Sequence, residues 1–278
     1  MPYSCRAGSC HACLVRCING QPADALPEAL AQDKREEGWR LACQCRVVGD
    51  LHVSLFDPLN DGVPAQVCGL EWFGEVLRLR VRPERTLRYQ AGQHLVLWAG
   101  DVARPYSLAS LPGEDDFLEF HLDCRRPGSF CDRARQFQIG APLRLGELRG
   151  GALHYDPEWQ TRPLWLLAAG TGLAPLWGIL REALRQGHEG EIKVVHVGHE
   201  HYLSETLNDL AELHPGLSVA FVAIDGFQQA LAGLSLTSRK TVVLACGAPG
   251  SVEQFARRLF IAGLPRNQLF ADVFVEHA

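Results

Sequence analysis

Cysteines crowd one end of this chain: six of the ten stand at positions 5, 10, 13, 17, 43 and 45 of 278 residues. No hydrophobic pattern limits the possible folds as sharply, because thiols gathered in so short a segment imply a bound centre and not scattered core packing. Disulfide pairing would call for an oxidising compartment, yet the opening Met-Pro-Tyr-Ser-Cys leads into no apolar signal segment. The expected compartment is reducing and the expected localisation cytoplasmic.

Cys5, Cys10 and Cys13 are spaced C-x4-C-x2-C, and 29 residues separate Cys13 from Cys43. The small residues Ala7, Gly8 and Ser9 permit a tight loop in which three thiolates converge while backbone N–H groups face sulfur, and the fourth thiol closes the cage from elsewhere. This spacing matches the plant-type [2Fe-2S] arrangement. A structural zinc site is the rival, although paired C-x2-C knuckles would be its more natural form. Cys45 is the alternative to Cys43 as fourth ligand. Strand alternation after Cys13 is expected to bury Cys17 as a small hydrophobe. His11, single where a Rieske-type centre needs two histidines, is expected to be an exposed loop residue.

Composition narrows the partners. With 27 basic and 32 acidic residues the net charge is -5, which excludes a general electrostatic grip on nucleic acid or anionic lipid. Leu164 to Leu180 is nearly all apolar, but Gly170, Thr171, Gly172 and Pro175 break it, so a buried strand, a glycine loop and a helix start are expected there and not a membrane span.

The chain divides into three patterns. Residues 1–59 hold the cysteines, a strand at Leu14 to Ile18, a helical patch at Pro27 to Glu37 and strand-like alternation from Arg46 to Leu55, followed by a breaker-rich linker up to Pro64. Residues 65–157 show short strands split by turn residues, the rhythm of a small antiparallel β-barrel. Residues 162–278 alternate strands with helices, which predicts a mostly parallel α/β sheet. The expected fold is thus multidomain, α+β followed by α/β.

Two further constellations carry chemistry. Arg104, Tyr106 and Ser107 can supply the cation, aromatic plate and hydroxyl that a flavin needs for its pyrophosphate, its ring and its N5 edge. An edge strand binding nothing is the plainer alternative for that tetrapeptide alone. Gly170-Thr171-Gly172 lies between an apolar strand and a helix start, where glycines allow backbone to approach a dinucleotide and helix N–H groups face phosphate. With Pro175 in place of a third glycine it is not the G-x-G-x-x-G fingerprint.

Pro2 to Cys13, with Leu41-Ala42-Cys43-Gln44, resembles the cluster loop of plant-type ferredoxin domains. That family places a β-hairpin and a helix before the loop, so about 30 residues of its β-grasp fold are missing here by the usual element sizes. Either the module is trimmed or the true start lies upstream of Met1. Arg104-Pro105-Tyr106-Ser107-Leu108-Ala109-Ser110 is similar to the motif that opens the flavin site of ferredoxin-NADP reductase-like flavoproteins. The resemblance implies that Arg104 meets the FAD diphosphate, that Pro105 belongs to the same site, that Tyr106 packs on the ring and that Ser107 bonds N5. Pro127-Gly128-Ser129-Phe130-Cys131 stands where that family has a diphosphate-binding glycine turn, with Gly128 and Ser129 as the implied contacts and Cys131 where serine is common. The family's Gly-Thr-Gly-x-x-Pro and Cys-Gly-x-Pro loops correspond to Gly170, Thr171, Gly172 and Pro175, and to Cys246, Gly247 and Pro249. Ser107 and Cys246 are the implied catalytic pair, and Phe274 either shields the flavin or packs in the core. His199-Glu200-His201, where relatives that choose a 2'-phosphate place arginine or serine, favours NADH over NADPH.

The order cluster, flavin, pyridine nucleotide resembles the single-chain reductases of bacterial oxygenase systems. It implies an NAD(P)H-dependent electron-transport oxidoreductase with FAD, a [2Fe-2S] cluster and NADH or NADPH as cofactors, whose partner is an oxygenase component or another electron-accepting protein. The alternatives are a reductase for a deoxysugar dehydrase, a flavin reductase without a stable cluster, and a non-catalytic scaffold.

Overall fold

A computed structural model describes residues 1–275. The cysteine-rich region contains β1 (Leu14–Asn19), β2 (Ala23–Asp24), the short helix α1 (Gln32–Glu36), β3 (Trp39–Leu41), β4 (Cys45–Arg46) and β5 (His52–Leu55). β1 lies between β3 and β5, antiparallel to both, and β2 pairs with β4. The predicted helical patch splits into a 3-10 turn at Pro27–Ala29 and α1, because Leu30 turns extended and drops into a core with Trp39 and Leu41. The predicted long strand from Arg46 is likewise cut in two. Alternation on β1 also fails: a bulge between Cys17 and Asn19 leaves Cys17 half-buried and Ile18 exposed.

The middle of the chain forms β6 (Val63–Phe73), β7 (Val76–Pro83), β8 (His94–Ala99), β9 (Val102–Ser107), β10 (Leu118–Asp123), α2 (Ser129–Ala134) and β11 (Pro142–Arg149). Their sheet is antiparallel throughout, in the order β10-β7-β6-β11-β8-β9, and curls until the edge strands β9 and β10 touch, giving a half-barrel. Inward residues such as Leu77, Leu79, Leu97, Phe120 and Leu145 are almost wholly buried, each stabilising the fold by about 1.5–3 kcal/mol. Arg104 to Ser107, expected just after a strand, are themselves part of β9. The predicted linker is a compact turn in which Asn60 and Asp61 N–H groups donate to Asp57 O.

The last third alternates β12 (Leu164–Ala169), α3 (Leu173–Arg185), β13 (Ile192–Gly198), α4 (Ser204–Leu213), β14 (Leu217–Ala223), α5 (Phe227–Gly233), β15 (Val242–Gly247), α6 (Pro249–Ile261) and β16 (Leu269–Val273). The sheet is parallel in the order β14-β13-β12-β15-β16. Leu164, Leu166 and Ala168 face the core under α3 while Trp165 and Leu167 face that under α5 and α6. Cover on both faces is why β12 reads as a continuous apolar run. α3 begins at Leu173 and takes in Pro175, since proline is tolerated in a first helical turn. Among the described residues no helix is long and apolar enough to cross a membrane.

Candidate functional site

The four predicted thiols come together as two pairs. Cys5 N–H donates to Cys10 Sγ and Cys10 N–H to Cys5 Sγ, both at 3.4 Å, and Ala7 N–H donates to Cys5 Sγ at 3.3 Å. Arg6, Gly8 and His11 have left-handed φ of 54°, 79° and 56°, which turns successive amides inward as an anion-binding nest requires. Cys43 is brought towards Cys13 because β3 pairs with β1 through Leu14↔Leu41 and Ala42 N–H bonds Cys13 O at 3.1 Å. The hydrogen bond from Cys10 holds Cys5 down to about 3 as a thiolate, and burial pushes Cys13 up to about 12. Cys45 lies elsewhere, pushed up to about 11 by burial and then by the Asp24 charge.

Among the described residues no three His, Cys, Asp or Glu side chains surround a point that one metal ion could occupy. Four cysteines brought to one end of the module suit the four thiolate ligands that a [2Fe-2S] core takes. His11 departs from expectation. It is buried, with Nδ1–H donating to Glu147 Oε2 on β11 at 2.6 Å, because the cluster loop docks on the half-barrel: Cys10 and Ala12 pack with Val96, Trp98 and Ala103.

On β9, Arg104 Nη2–H donates to Ser129 Oγ at 3.4 Å, which joins the two segments expected at a diphosphate, while Nη1–H donates to Ala103 O at 2.7 Å. Gly128, just before, is extended, and no heavy atom stands within contact of where its Cβ would be. The Tyr106 ring lies 5.2 Å from that of Phe130, and Pro105 is half-buried. Ser107 is buried and faces His94 across the β8–β9 ladder; His94 Nε2 in turn meets Ser9 O in the cluster loop at 3.3 Å.

Both predicted glycine loops lie at the C-terminal ends of adjacent parallel strands, the edge where open α/β sheets bind ligands. They interlock by backbone. A Cβ on Gly172 would stand 2.2 Å from Cys246 O, and one on Gly247, at φ 134°, 2.3 Å from Ala169 O. Gly170 has φ 57° and Thr171 is half-buried; Pro175 lies inside α3, and Pro249 is exposed at the start of α6. Cys246 is fully buried, which pushes its thiol well up, and stands opposite Asp272 on β16. Phe274 N–H donates to Gly247 O at 2.8 Å and its ring packs against the core shared by half-barrel and parallel sheet.

A buried polar chain beside these loops was not foreseen. His196 Nε2 bonds Gly170 O at 3.0 Å and its ring meets Tyr202, whose hydroxyl bonds His121 Nδ1 at 3.0 Å; His121 Nε2 bonds Glu119, which accepts from Arg80 at 2.8 Å. Burial drives His196 down to about 4. Burial would raise Glu119, but His121, Arg78 and Arg80 outweigh it and hold the carboxyl far below its usual range. The available signal was polar residues inside apolar strands, as in Leu118-Glu119-Phe120-His121-Leu122 and Val195-His196-Val197.

Residues 1–48 match the family described as a 2Fe-2S iron-sulfur cluster binding domain, and residues 166–258 match the oxidoreductase NAD-binding domain. The chain is 30% identical over 243 residues to the reductase subunit of an aromatic O-demethylase from Amycolatopsis, covering 81% of this chain and 72% of that one. The chain belongs to the ferredoxin-NAD(P) reductase-like flavoproteins that carry a [2Fe-2S] module. The reductase is also 29% identical over 296 residues, covering 98% of this chain and 89% of the other, to the ferredoxin–NAD(P)(+) reductase component of a naphthalene 1,2-dioxygenase system from Pseudomonas putida. Its fold is that of a cytochrome P450 reductase from Amycolatopsis, at a TM-score of 0.73 and 24% identity, covering 99% of this chain and 91% of that structure. As an oxidoreductase of this family, the reductase works with FAD, a [2Fe-2S] cluster and NAD(P)H.

Proposed function

We propose that this reductase draws electrons from NADH and delivers them through its cluster to an oxygenase component, with residues 1–59, 65–157 and 162–278 as its three functional units. When bound, nicotinamide supplies an electron pair, flavin accepts the pair and releases it singly, and the cluster carries one electron at a time. The chain's own work is binding and positioning. Arg104 and Ser129 hold the diphosphate of FAD, with Gly128 leaving room; Pro105 and Tyr106 bound the ring, and Ser107 donates a hydrogen bond to its N5 edge. Gly170, Thr171, Gly172 and Pro175 on one side, and Cys246, Gly247 and Pro249 on the other, seat NADH, with Phe274 closing the ring face. Cys5, Cys10, Cys13 and Cys43 hold iron. The absence of arginine from His199-Glu200-His201 favours NADH, and the oxygenase reductases among the relatives favour an oxygenase partner.

The observation that carries this reading is His94, which lies opposite the flavin-side Ser107 and touches the cluster loop at Ser9 O, 3.3 Å away. That contact supports a flavin and a cluster lying on either side of one strand pair. Anaerobic titration with NADH tests it: flavin and cluster absorbance should both bleach, and a preparation in which either is absent or unresponsive overturns the proposal.

A further inference from the structure

Two local irregularities meet at one hydrogen bond on the seam between cluster loop and half-barrel. His11 sits at φ 56°, a region where a Cβ is crowded and glycine is at home. Facing it, β11 loses register with β8 between Leu145 and Leu148, so that Gly146 and Glu147 occupy a bulge. Bulges re-aim side chains, and this one carries Glu147 Oε2 to within 2.6 Å of His11 Nδ1. The imidazole has no exposed surface and its Nε2 has no partner among the described residues. Nothing in the pairing of Cys5 with Cys10, or of Cys13 with Cys43, calls for an imidazole between them. The cavity left beside the pair, lined by Phe56, Trp98 and Gly146 among others, measures about 10 Å³, at the lower limit of what one water occupies.

We infer that the His11–Glu147 hydrogen bond is the fastener that fixes the Cys10 edge of the cluster loop against β8 and β9, and so sets the separation that electrons cross between flavin and iron. His11 is a positioning residue. The inference rests on the electron route proposed above. Cys10 already lies on Val96, Trp98 and Ala103; Val96 pairs with Pro105 across the ladder, and Ala103 directly precedes Arg104 on β9. Apolar contact allows a loop to slide, and the other polar tie beside Cys10, His94 Nε2 to Ser9 O, is longer at 3.3 Å; the 2.6 Å bond between a left-handed residue and a bulge is the shorter constraint on register.

Three variants test this. His11→Gly removes the imidazole and suits the left-handed backbone, so the loop should still gather its thiols. Glu147→Ala removes the carboxylate from the half-barrel and leaves the cluster loop sequence intact. Glu147→Gln keeps an acceptor oxygen in place. In anaerobic stopped-flow with NADH, the flavin phase should keep the wild-type rate in all three. The later cluster phase should slow about tenfold or more in His11→Gly and Glu147→Ala, while Glu147→Gln stays near wild type. Hydrogen exchange of the oxidised proteins gives a readout independent of turnover: amides of residues 9–13 and 146–149 should exchange faster in the two slow variants only. Should His11→Gly lose cluster absorbance, Glu147→Ala decides. Unchanged cluster phases and exchange overturn the inference, as does equal slowing of both phases, which marks a merely stabilising bond. A wild-type protein that NADH cannot bleach overturns the route itself, and this inference with it.

Discussion

On one side of the half-barrel, Val76, Ala91, Ala109 and Leu111 continue without a break into the apolar core of the parallel sheet, reinforced by Arg181 donating to Asp115 at 2.7 Å and Arg185 to Pro112 O at 2.8 Å. On the other side the cluster module is held by a smaller patch, by Phe56 stacked 5.4 Å from Trp98, and by polar ties such as His11–Glu147 and Arg149 to Ala29 O. The first seam is a shared core and the second a set of point contacts. The difference follows from what crosses each seam: hydride transfer needs reacting atoms aligned in contact, whereas a single electron crosses a gap whose width has only to be held constant.

If the two seams are independent, breaking one should spare the other. Cys13→Ala should abolish cluster absorbance altogether while NADH still bleaches the flavin, measured by iron content and anaerobic spectra. Gly172→Ala attacks the opposite side. Its Cβ would stand 2.2 Å from Cys246 O, so the interlocked loops must part, at about 3 kcal/mol of stability and with loss of NADH binding; thermal unfolding and NADH titration check this, with cluster absorbance retained.

Acid should also single out the shared core. His196 takes a proton near its ordinary 6.5 when unfolded but only near about 4 when folded. Stability present above pH 6.5 is therefore lost as pH falls towards 4, by up to roughly 3 kcal/mol. Urea unfolding across that range should show the loss, and His196→Gln should flatten it. At the cluster seam, Phe56→Leu keeps apolar bulk and removes only the stacking on Trp98, for about 1 kcal/mol and no change in NADH binding.

What the sequence disclosed follows the same division. The strand, glycine loop and helix start within Leu164 to Leu180 were legible, because an apolar run broken by glycines is a local signal. The spacing of Cys5, Cys10 and Cys13 was legible because the loop closes within thirteen residues, whereas the return of Cys43 towards Cys13 depends on the ladder between β3 and β1. Cys17 was misplaced because a bulge is invisible to alternation. His11 was misplaced because its burial depends on Glu147, more than a hundred residues away, and no local pattern reports which loop docks on which strand. The chain from His196 to Arg80 escaped for a related reason: Glu119 and His121 on β10 meet Arg80 from β7, and the link on to Tyr202 and His196 crosses from the half-barrel to the parallel-sheet region, which no local pattern reports.

The short ladder between β1 and β3 has a consequence for how the protein matures. Cys5, Cys10 and Cys13 emerge together from the ribosome, but Cys43 comes within reach of them only when Leu41 settles opposite Leu14. Cys43 sits in the 3-10 turn directly after β3, so its place is set by where that ladder ends. On the proposed ligand set, assembly of the iron site would depend on the three rungs that pair β1 with β3.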